Sequence, residues 1–241
     1  MEKIKGIINK ATNIVVLTGA GISTESGLPD FHSSQGLYKT LTTPLIFSKW
    51  MFRLMPGHFY KTMGGFYEKL LQAEPNAGHL ALAALEKQGK KVTIITQNVD
   101  ALHQKAGSTV VHEIHGTLDT MTCLKCHRKH SPGDFKDILA QGGTPHCQCG
   151  GVIKPDIVFF GDELPGEPLR QSLLAMLDAE LVIVCGTSLK VSPANKLLSY
   201  RVEGTPVVII NRDPTPYDDI ADFVSHGKIG DVLPELFAAI C

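Results

Sequence analysis

Five short apolar runs constrain what this chain can become: Ile14-Val15-Val16-Leu17, Val92-Thr93-Ile94-Ile95-Thr96, Ile157-Val158-Phe159-Phe160, Leu181-Val182-Ile183-Val184-Cys185 and Val207-Val208-Ile209-Ile210. Short, β-branched runs without polar alternation read as strands covered on both faces. Helical text lies between them, and strands alternating with helices predict an α/β fold on a parallel, doubly wound sheet. Four of the runs are followed at once by small or polar residues. Gly19-Ala20-Gly21-Ile22-Ser23 follows the first, Gln97-Asn98-Val99-Asp100 the second, Gly186-Thr187-Ser188 the fourth and Asn211 the last. Ligands of open α/β sheets bind at the carboxyl ends of strands, so these residues are the first site candidates.

The intervening text sharpens the outline. Ile4, Ile7 and Ile8 share one face of a short helix. Ser23 reads as a helix N-cap. Residues 30–44 are loop-like, and a long irregular segment beside a glycine turn often serves as a mobile lid. Residues 47–71, rich in aromatics and Met, read as short helices. Most of Trp50, Phe52, Leu54, Phe59, Tyr60, Phe66 and Leu70 are expected in a core. Asn76 caps a helix that packs Leu80, Leu82 and Leu85 and closes at Gly89. Further helices are expected over 134–140, 169–179 and 194–200, with a last one capped by Asp231 and running to Ile240.

Residues 121–151 break the pattern, being short, polar and Cys-bearing, as an insert would be. Cys123 and Cys126 form a CxxC, and Cys147 and Cys149 a CxC. Two close thiol pairs on a segment that folds back match a tetrahedral structural zinc site, with no position left open for catalysis. Cys185 and Cys241 lie outside the set.

A chain of 241 residues fits one large domain, or one domain with a small insert. With 23 basic and 24 acidic residues the net charge is −1, which gives no electrostatic case for nucleic acid or membrane as a partner. No segment reaches the roughly 18 consecutive apolar residues of a membrane span. The N-terminus lacks a signal core, and the paired cysteines favour metal over disulfides, so the expected location is cytoplasmic.

The residues alone leave the chemistry open. Gly19 and Gly21 after a strand suit the approach of a pyrophosphate, but the third glycine of the usual fingerprint is replaced by Thr24. Thr187, Ser188 and Asn211 could hold ribose hydroxyls or phosphates, or simply cap helices. A histidine with Asn98 and Asp100 would make a general-base set, and both His112 and His115 are eligible. No protein nucleophile of the G-x-S-x-G or Cys–His kind is present.

Taken together and in order, Gly19–Ser23, Gly27-Leu28-Pro29-Asp30-Phe31, Gln97–Asp100, His115-Gly116, the four cysteines, Phe159-Phe160-Gly161-Asp162, Gly186–Ser188 and Asn211 resemble the sirtuins, the NAD-dependent protein deacylases. The resemblance implies a Rossmann-like NAD-binding domain over 1–30, 77–118 and 155–241. It implies a cofactor loop and helical segment over 31–76, and a zinc ribbon over 119–154. Acyl-lysine would enter the cleft between the two domains. Its acyl oxygen would attack C1′ of the nicotinamide ribose, with His115 as base for a ribose hydroxyl. The products would be free lysine, nicotinamide and O-acetyl-ADP-ribose. A substrate that supplies its own nucleophile accounts for the lack of one in the protein.

By the same resemblance, Asn98 and Asp100 would order ribose, water and nicotinamide, with Gln97 and Val99 beside them. Ala20 and Gly21 would line the pyrophosphate, with Gly19, Ile22 and Thr24 also in the cofactor site. Phe31 would shield the reacting carbon. Thr187, Ser188 and Asn211 would hold the adenosine half, and Gly186, Asp231 and Val232 also belong to the cofactor site. The Phe160-Gly161-Asp162 and Leu189–Val191 segments would sandwich the substrate backbone as an added strand, with Val158 and Phe159 also in the substrate site. The family usually carries Arg where His32 stands, so NAD binding is expected to be weaker above neutral pH than in a His32→Arg variant. NAD titrations of both proteins from mildly acidic to mildly basic pH test this. Asp162 replaces a common Glu, a minor change on sequence grounds. The Tyr-x-x-Arg pair of desuccinylating relatives is absent, since Met63 stands three positions after Tyr60, so a neutral acyl group is expected: acetyl first, longer fatty acyls next. The alternative activity is mono-ADP-ribosyl transfer from NAD. A binding module without turnover is a third reading, to which the charge balance lends no nucleic-acid partner.

Overall fold

The computed structural model describes residues 2–30, 36, 44–192 and 194–238. Its elements in chain order are α1 (Glu2–Lys10), β1 (Asn13–Thr18), α2 (Lys49–Leu54), α3 (Pro56–Gln72), α4 (Ala77–Lys87), β2 (Lys91–Thr96), α5 (Leu102–Ala106), β3 (Val111–Glu113), β4 (Gly116–Cys123) and β5 (Lys129–His130). Then come α6 (Lys136–Ala140), β6 (Ile153–Ile157), α7 (Gly166–Leu177), β7 (Leu181–Cys185), β8 (Val207–Ile210), β9 (Phe223–Ser225) and α8 (Ile229–Phe237). Six strands form one sheet in the order β3-β2-β1-β7-β8-β9, and every neighbouring pair is parallel. A second sheet, β5-β4-β6, is antiparallel.

The parallel sheet is apolar on both sides because helices cover both. Ile14, Val16, Ile94, Ile183 and Val208 pack on one face against α1, α4 and α8. Val15, Leu17, Ile95, Val182 and Ile209 pack on the other, against Met176 of α7 and the 3₁₀ segment that carries Leu197 and Leu198. Adjacent residues of a strand point to opposite faces, so a continuous apolar run satisfies both layers. A separate core gathers Phe47, Phe52, Phe59, Tyr60, Met121, Ile153 and Phe159 between α2, α3 and the second sheet. The architecture is thus a Rossmann-like parallel sheet with a small helical and cysteine-bearing unit attached.

Several expectations are corrected. Ile153–Ile157 is a strand of the second sheet, and Val158–Phe160 extends neither sheet, apart from a single bridge from Phe160 to Ser48. Ser23 lies inside a 3₁₀ segment over Ala20–Ser26, whose N-cap is Gly19. Leu80 is 52% exposed, whereas Leu82 and Leu85 are buried. Residues 194–200 form a 3₁₀ rather than an α-helix. Lys228 caps α8, with Asp231 in its first turn, where a carboxylate complements the helix dipole. Trp50 and Leu54 are 69% and 78% exposed, although Phe52, Phe59, Tyr60 and Leu70 are core. Helix α3 runs 17 residues through Gly64 and Gly65 without a break. A Cβ at Gly64 would lie 3.2 Å from the Gly142 backbone, so a close crossing occupies the space a side chain would take.

Asn76 caps α4 as expected. Its Oδ1 accepts from Gly78 N–H (2.9 Å), and its Nδ2 donates to Ile22 O (2.7 Å) and Ser26 Oγ (3.0 Å). One side chain thereby ties the start of α4 to the segment that leaves β1.

Candidate active site

The strand order places a topological switch between β1 and β7: from β1 the chain winds out through β2 to β3, and from β7 through β8 to β9. A crevice opens at the carboxyl ends on either side of such a point. Here the two strand ends meet backbone to backbone. Gly19 N–H donates to Cys185 O (3.2 Å) and Gly21 N–H to Gly186 O (2.8 Å). A Cβ on Gly21 would fall 2.7 Å from Gly186 Cα, and one on Gly186, whose φ is +63°, would fall 2.3 Å from Ile22 N. Both positions therefore require glycine.

The end of β2 is laced to these turns. Gln97 Nε2 donates to Thr187 Oγ1 (2.9 Å) and to Thr18 O (3.3 Å). Ser23 Oγ donates to Asp100 Oδ2 (2.7 Å) and accepts from Asn98 Nδ2 (3.0 Å). Asp100 Oδ1 accepts Leu102 N–H (3.0 Å), which starts α5. All three side chains are buried, so their orientations are fixed by one another.

His115 sits on the two-residue link between β3 and β4. Its Nδ1 faces Gln97 O at 3.1 Å. A carbonyl can only accept, so Nδ1 carries the proton and Nε2 keeps its lone pair. Burial lowers the His115 pKa from the usual imidazole value, partly opposed by that carbonyl. The backbone is held too: Val158 N–H donates to His115 O (2.8 Å). Gly116 follows with φ +77°, and a Cβ there would lie 2.1 Å from Asp156 O. His112 belongs to β3, paired with Ile95, and is not part of the cavity wall that His115 joins.

The cavity measures about 910 Å³. Its polar half is formed by Gly19, Ala20, Gly21, Thr24, Gln97, Asn98, Gly186, Thr187, Ser188 and Asn211. Its apolar half runs into the small unit between Phe47, Phe59, Met63, Leu118, Met121, Leu139, Ile157 and Phe159. His115 and Val99 lie in the wall with both groups. Val158, Phe160, Gly161 and Val191 are also in the wall.

The remaining candidates are elsewhere. Ile22 is buried in the sheet core. Asp100 lies one layer behind the wall, reaching it through Ser23 and Asn98. Leu189 is buried at φ +54°, its N–H on Thr187 Oγ1. Asp231 is exposed on α8, and Val232 packs behind Gly227. Phe31 and His32 fall outside the described residues, as does Cys241. Sequence reasoning missed Arg212, His226 and Lys228 in the polar half. Arg212 directly follows Asn211 at a strand end, so the carboxyl-end rule could have reached it; the others converge through tertiary structure alone.

Residues 159–162 form a turn: Asp162 N–H donates to Phe159 O (2.9 Å), and Gly161, at the third position, has φ +91°. Phe160 is spent on its neighbour, N–H to Phe47 O (2.7 Å) and C=O to Lys49 N–H (3.1 Å). Among the described residues, Gly161 N–H and C=O make no backbone hydrogen bond.

A model of the Sir2 family matches residues 19–193. The chain belongs to the Sir2 family. It is 40% identical to NAD-dependent protein deacetylase 1 of Pyrobaculum aerophilum over 98% of this chain and 93% of that protein. It is 41% identical to the NAD-dependent protein deacetylase of Clostridium perfringens, over 97% and 96%. A solved structure of Sir2 with a p53 peptide and NAD+ superposes with a TM-score of 0.89 at 37% identity, over 99% of this chain and 97% of that one. Sir2Tm bound to a propionylated peptide gives 0.88 at 37% identity, with the same coverage.

Both groups that the Sir2 family implies fit the residues present. The Sγ atoms of Cys123, Cys126, Cys147 and Cys149 lie within 4.8 Å of one another, with 3.5 Å between Cys123 and Cys149 and 3.7 Å between Cys126 and Cys147. Tetrahedral zinc with Zn–S of about 2.3 Å needs sulfur–sulfur edges of about 3.8 Å. Backbone N–H groups draw the Cys123 thiol pKa down to about 6, toward the thiolate that binds metal. For NAD, the glycine contact removes side-chain bulk at the switch point, Ala20 and Thr24 stand in the wall beside it, and hydroxyl and amide side chains from the ends of β2, β7 and β8 line the same wall.

Proposed function

We propose that this protein removes acetyl groups from lysine side chains of proteins with consumption of NAD. The observation that carries this is the placement of His115 where the two halves of the cavity meet, with Nδ1 pinned and Nε2 available. Bound NAD would supply the sugar carbon that receives the acyl oxygen. His115 Nε2 takes the proton of a sugar hydroxyl, and the Gln97 carbonyl steadies the imidazolium that results. Asn98, held by Ser23 and backed by Asp100, presents its amide to the sugar and the departing nicotinamide. Ala20 and Thr24, in the space left by Gly19 and Gly21, take the phosphates, and Thr187, Ser188 and Asn211 the adenosine half. The acyl chain enters the apolar half, whose lining excludes water from the reacting atoms. Among the described residues no Lys or Arg lines that half, so a neutral acyl group is the substrate, acetyl first and longer chains after it. The peptide backbone pairs with Gly161 N–H and C=O on one side and with the segment around Val191 on the other. The zinc is structural, since four thiolates fill its tetrahedron.

No helix of the described residues is long and apolar enough to cross a membrane. The cytoplasm is the location we favour, because a reducing compartment keeps the four thiols available to metal.

The test is mass spectrometry of the products from NAD and a panel of acyl-lysine peptides. Wild type should release nicotinamide and O-acetyl-ADP-ribose in equal amounts, and His115→Ala neither, with unchanged zinc content. ADP-ribose attached to protein, without deacylated peptide, would replace this reading with mono-ADP-ribosyl transfer.

A further inference from the structure

Lys154 is an ammonium in an unusual place. Its side chain is 17% exposed, on β6 at the edge of the small unit. It donates to Ile157 O (2.8 Å) and Pro155 O (3.3 Å) and reaches Asp162 Oδ2 at 3.3 Å. An ammonium has three donors, and all three have acceptors. It also stands 4.2 Å from the centre of the Phe159 ring. The neighbouring Asp156 acts on it through charge alone, its oxygens being taken by Lys129 Nζ (2.8 Å), Thr120 Oγ1 (2.5 Å) and Thr122 Oγ1 (2.6 Å). Taking an ammonium this far out of water is costly, and such ion pairs commonly fix geometry rather than add stability. Burial lowers the Lys154 pKa, with Asp162 opposing.

What the pair fixes is the turn at 159–162. Asp162 Oδ2 accepts Phe159 N–H (3.1 Å), and its Oδ1 meets Lys49 Nζ (3.4 Å). Lys49 belongs to the segment that already holds Phe160 through backbone bonds. Two lysines from two elements thus converge on one carboxylate at the base of the turn whose tip is Gly161.

We propose that Lys154 is a positioning residue for peptide binding: through Asp162 and the Phe159 ring it holds the 159–162 turn so that Gly161 presents its N–H and C=O to the substrate backbone. Lys154 is not in the cavity wall, so it acts on peptide affinity and not on the chemistry at His115. The inference rests on the deacylase reading for the identity of the peptide.

The test pairs steady-state kinetics with direct binding of a fluorescein-labelled acetyl-lysine peptide. In Lys154→Met the KM and Kd for peptide should rise about tenfold, while kcat and the KM for NAD stay within about twofold. Lys154→Arg, which keeps charge and donors, should return the peptide KM to within about threefold of wild type. Unchanged peptide Kd in folded, zinc-loaded Lys154→Met would overturn the proposal, as would a KM for NAD that rises as much as that for peptide. Where Lys154→Met does not fold, Asp162→Asn decides. It keeps an acceptor for Phe159 N–H but loses the ionic partner, so weaker peptide binding supports the proposal and wild-type binding sinks it. A wild type that binds the peptide without forming O-acetyl-ADP-ribose would end the deacylase reading, and the binding comparison would still stand.

Discussion

Single residues set the state of the base. His115 is neutral where Nε2 must accept a proton, since burial lowers its pKa and the Gln97 carbonyl fixes the tautomer. The acid limb of kcat/KM should therefore fall below pH 6.5, with activity lost as pH drops through it and full above it. A pH profile on an acetyl-lysine peptide measures this, and a limb above 6.5 would contradict it. Glycine is as constrained as the histidine. Gly186→Ala puts a Cβ 2.3 Å from Ile22 N at a φ of +63°. The left-handed conformation and the overlap together should cost about 3 kcal/mol of stability and weaken NAD binding at least tenfold. Urea unfolding and NAD titration of the variant check both numbers. The Gly-Ala-Gly text showed that backbone approaches something at this turn. It could not show that the first thing approached is another turn of the same protein, because Gly19 and Gly186 are brought together only by the pairing of β1 with β7.

At the scale of elements, legibility follows burial. β1, β2, β7 and β8 are interior strands, buried on both faces almost throughout, and such strands leave apolar runs in the text. β3 and β9 are sheet edges of three half-buried residues each, and leave none. β4 alternates buried Met121 and Cys123 with less buried neighbours, but its longer partner, β6, is distant in sequence and its run is broken by Asp119. The strand expected at Ile157–Phe160 lies instead at Ile153–Ile157 in the second sheet, since Ile157 and the apolar residues after it look alike whether they face a parallel sheet or a small core. The cysteine pairs were readable because metal ligands need close spacing. Held by Cys123, Cys126, Cys147 and Cys149, zinc would join the β4–β5 turn to the segment before β6 and close the second sheet at its open end. Removal by a strong chelator under reducing conditions should unfold that unit and abolish turnover, while the parallel sheet keeps much of its circular dichroism signal. One zinc per chain by elemental analysis, lost with activity, is the expected result; full activity after complete removal would show that the ion is dispensable.

For the whole molecule, the site is legible in halves. The half at strand ends follows from topology, as every α/β sheet of this winding opens a crevice there. The half inside the small unit, from Leu118, Met121 and Leu139, has no sequence mark, since a lining residue and a core residue are chemically the same until a cavity lies between them. Beneath the strand-end half lies a buried pair, His79 and His103, with rings 4.8 Å apart. His103 Nε2 is 3.0 Å from Thr18 Oγ1, and His79 Nδ1 accepts from Asn76 N–H at 3.4 Å, so the pair links β1, α4 and α5. Burial lowers the pKa of His79 to about 4 and that of His103 to about 3, with Asp100 partly opposing at His79. Both are depressed below the unfolded value, so the unfolded chain binds more protons in the interval. Their contribution is complete above pH 6.5 and is lost as pH falls toward 4 and 3. Glu113 acts in the opposite sense: burial raises its pKa to about 6, so the folded state binds more protons between the usual carboxylate range and 6. Two histidine shifts, each larger than the one carboxylate shift, decide the sign. Stability should fall as pH drops from 6.5 to 4.5, with a slope of at most about 1.4 kcal/mol per pH unit for each histidine. Replacing His103 with Gln, which keeps a polar partner for Thr18, should flatten that slope. Urea unfolding at half-unit pH steps for both proteins measures it, and a stability that is constant or rises toward pH 4.5 would mean that the buried pair is not held neutral in the folded state.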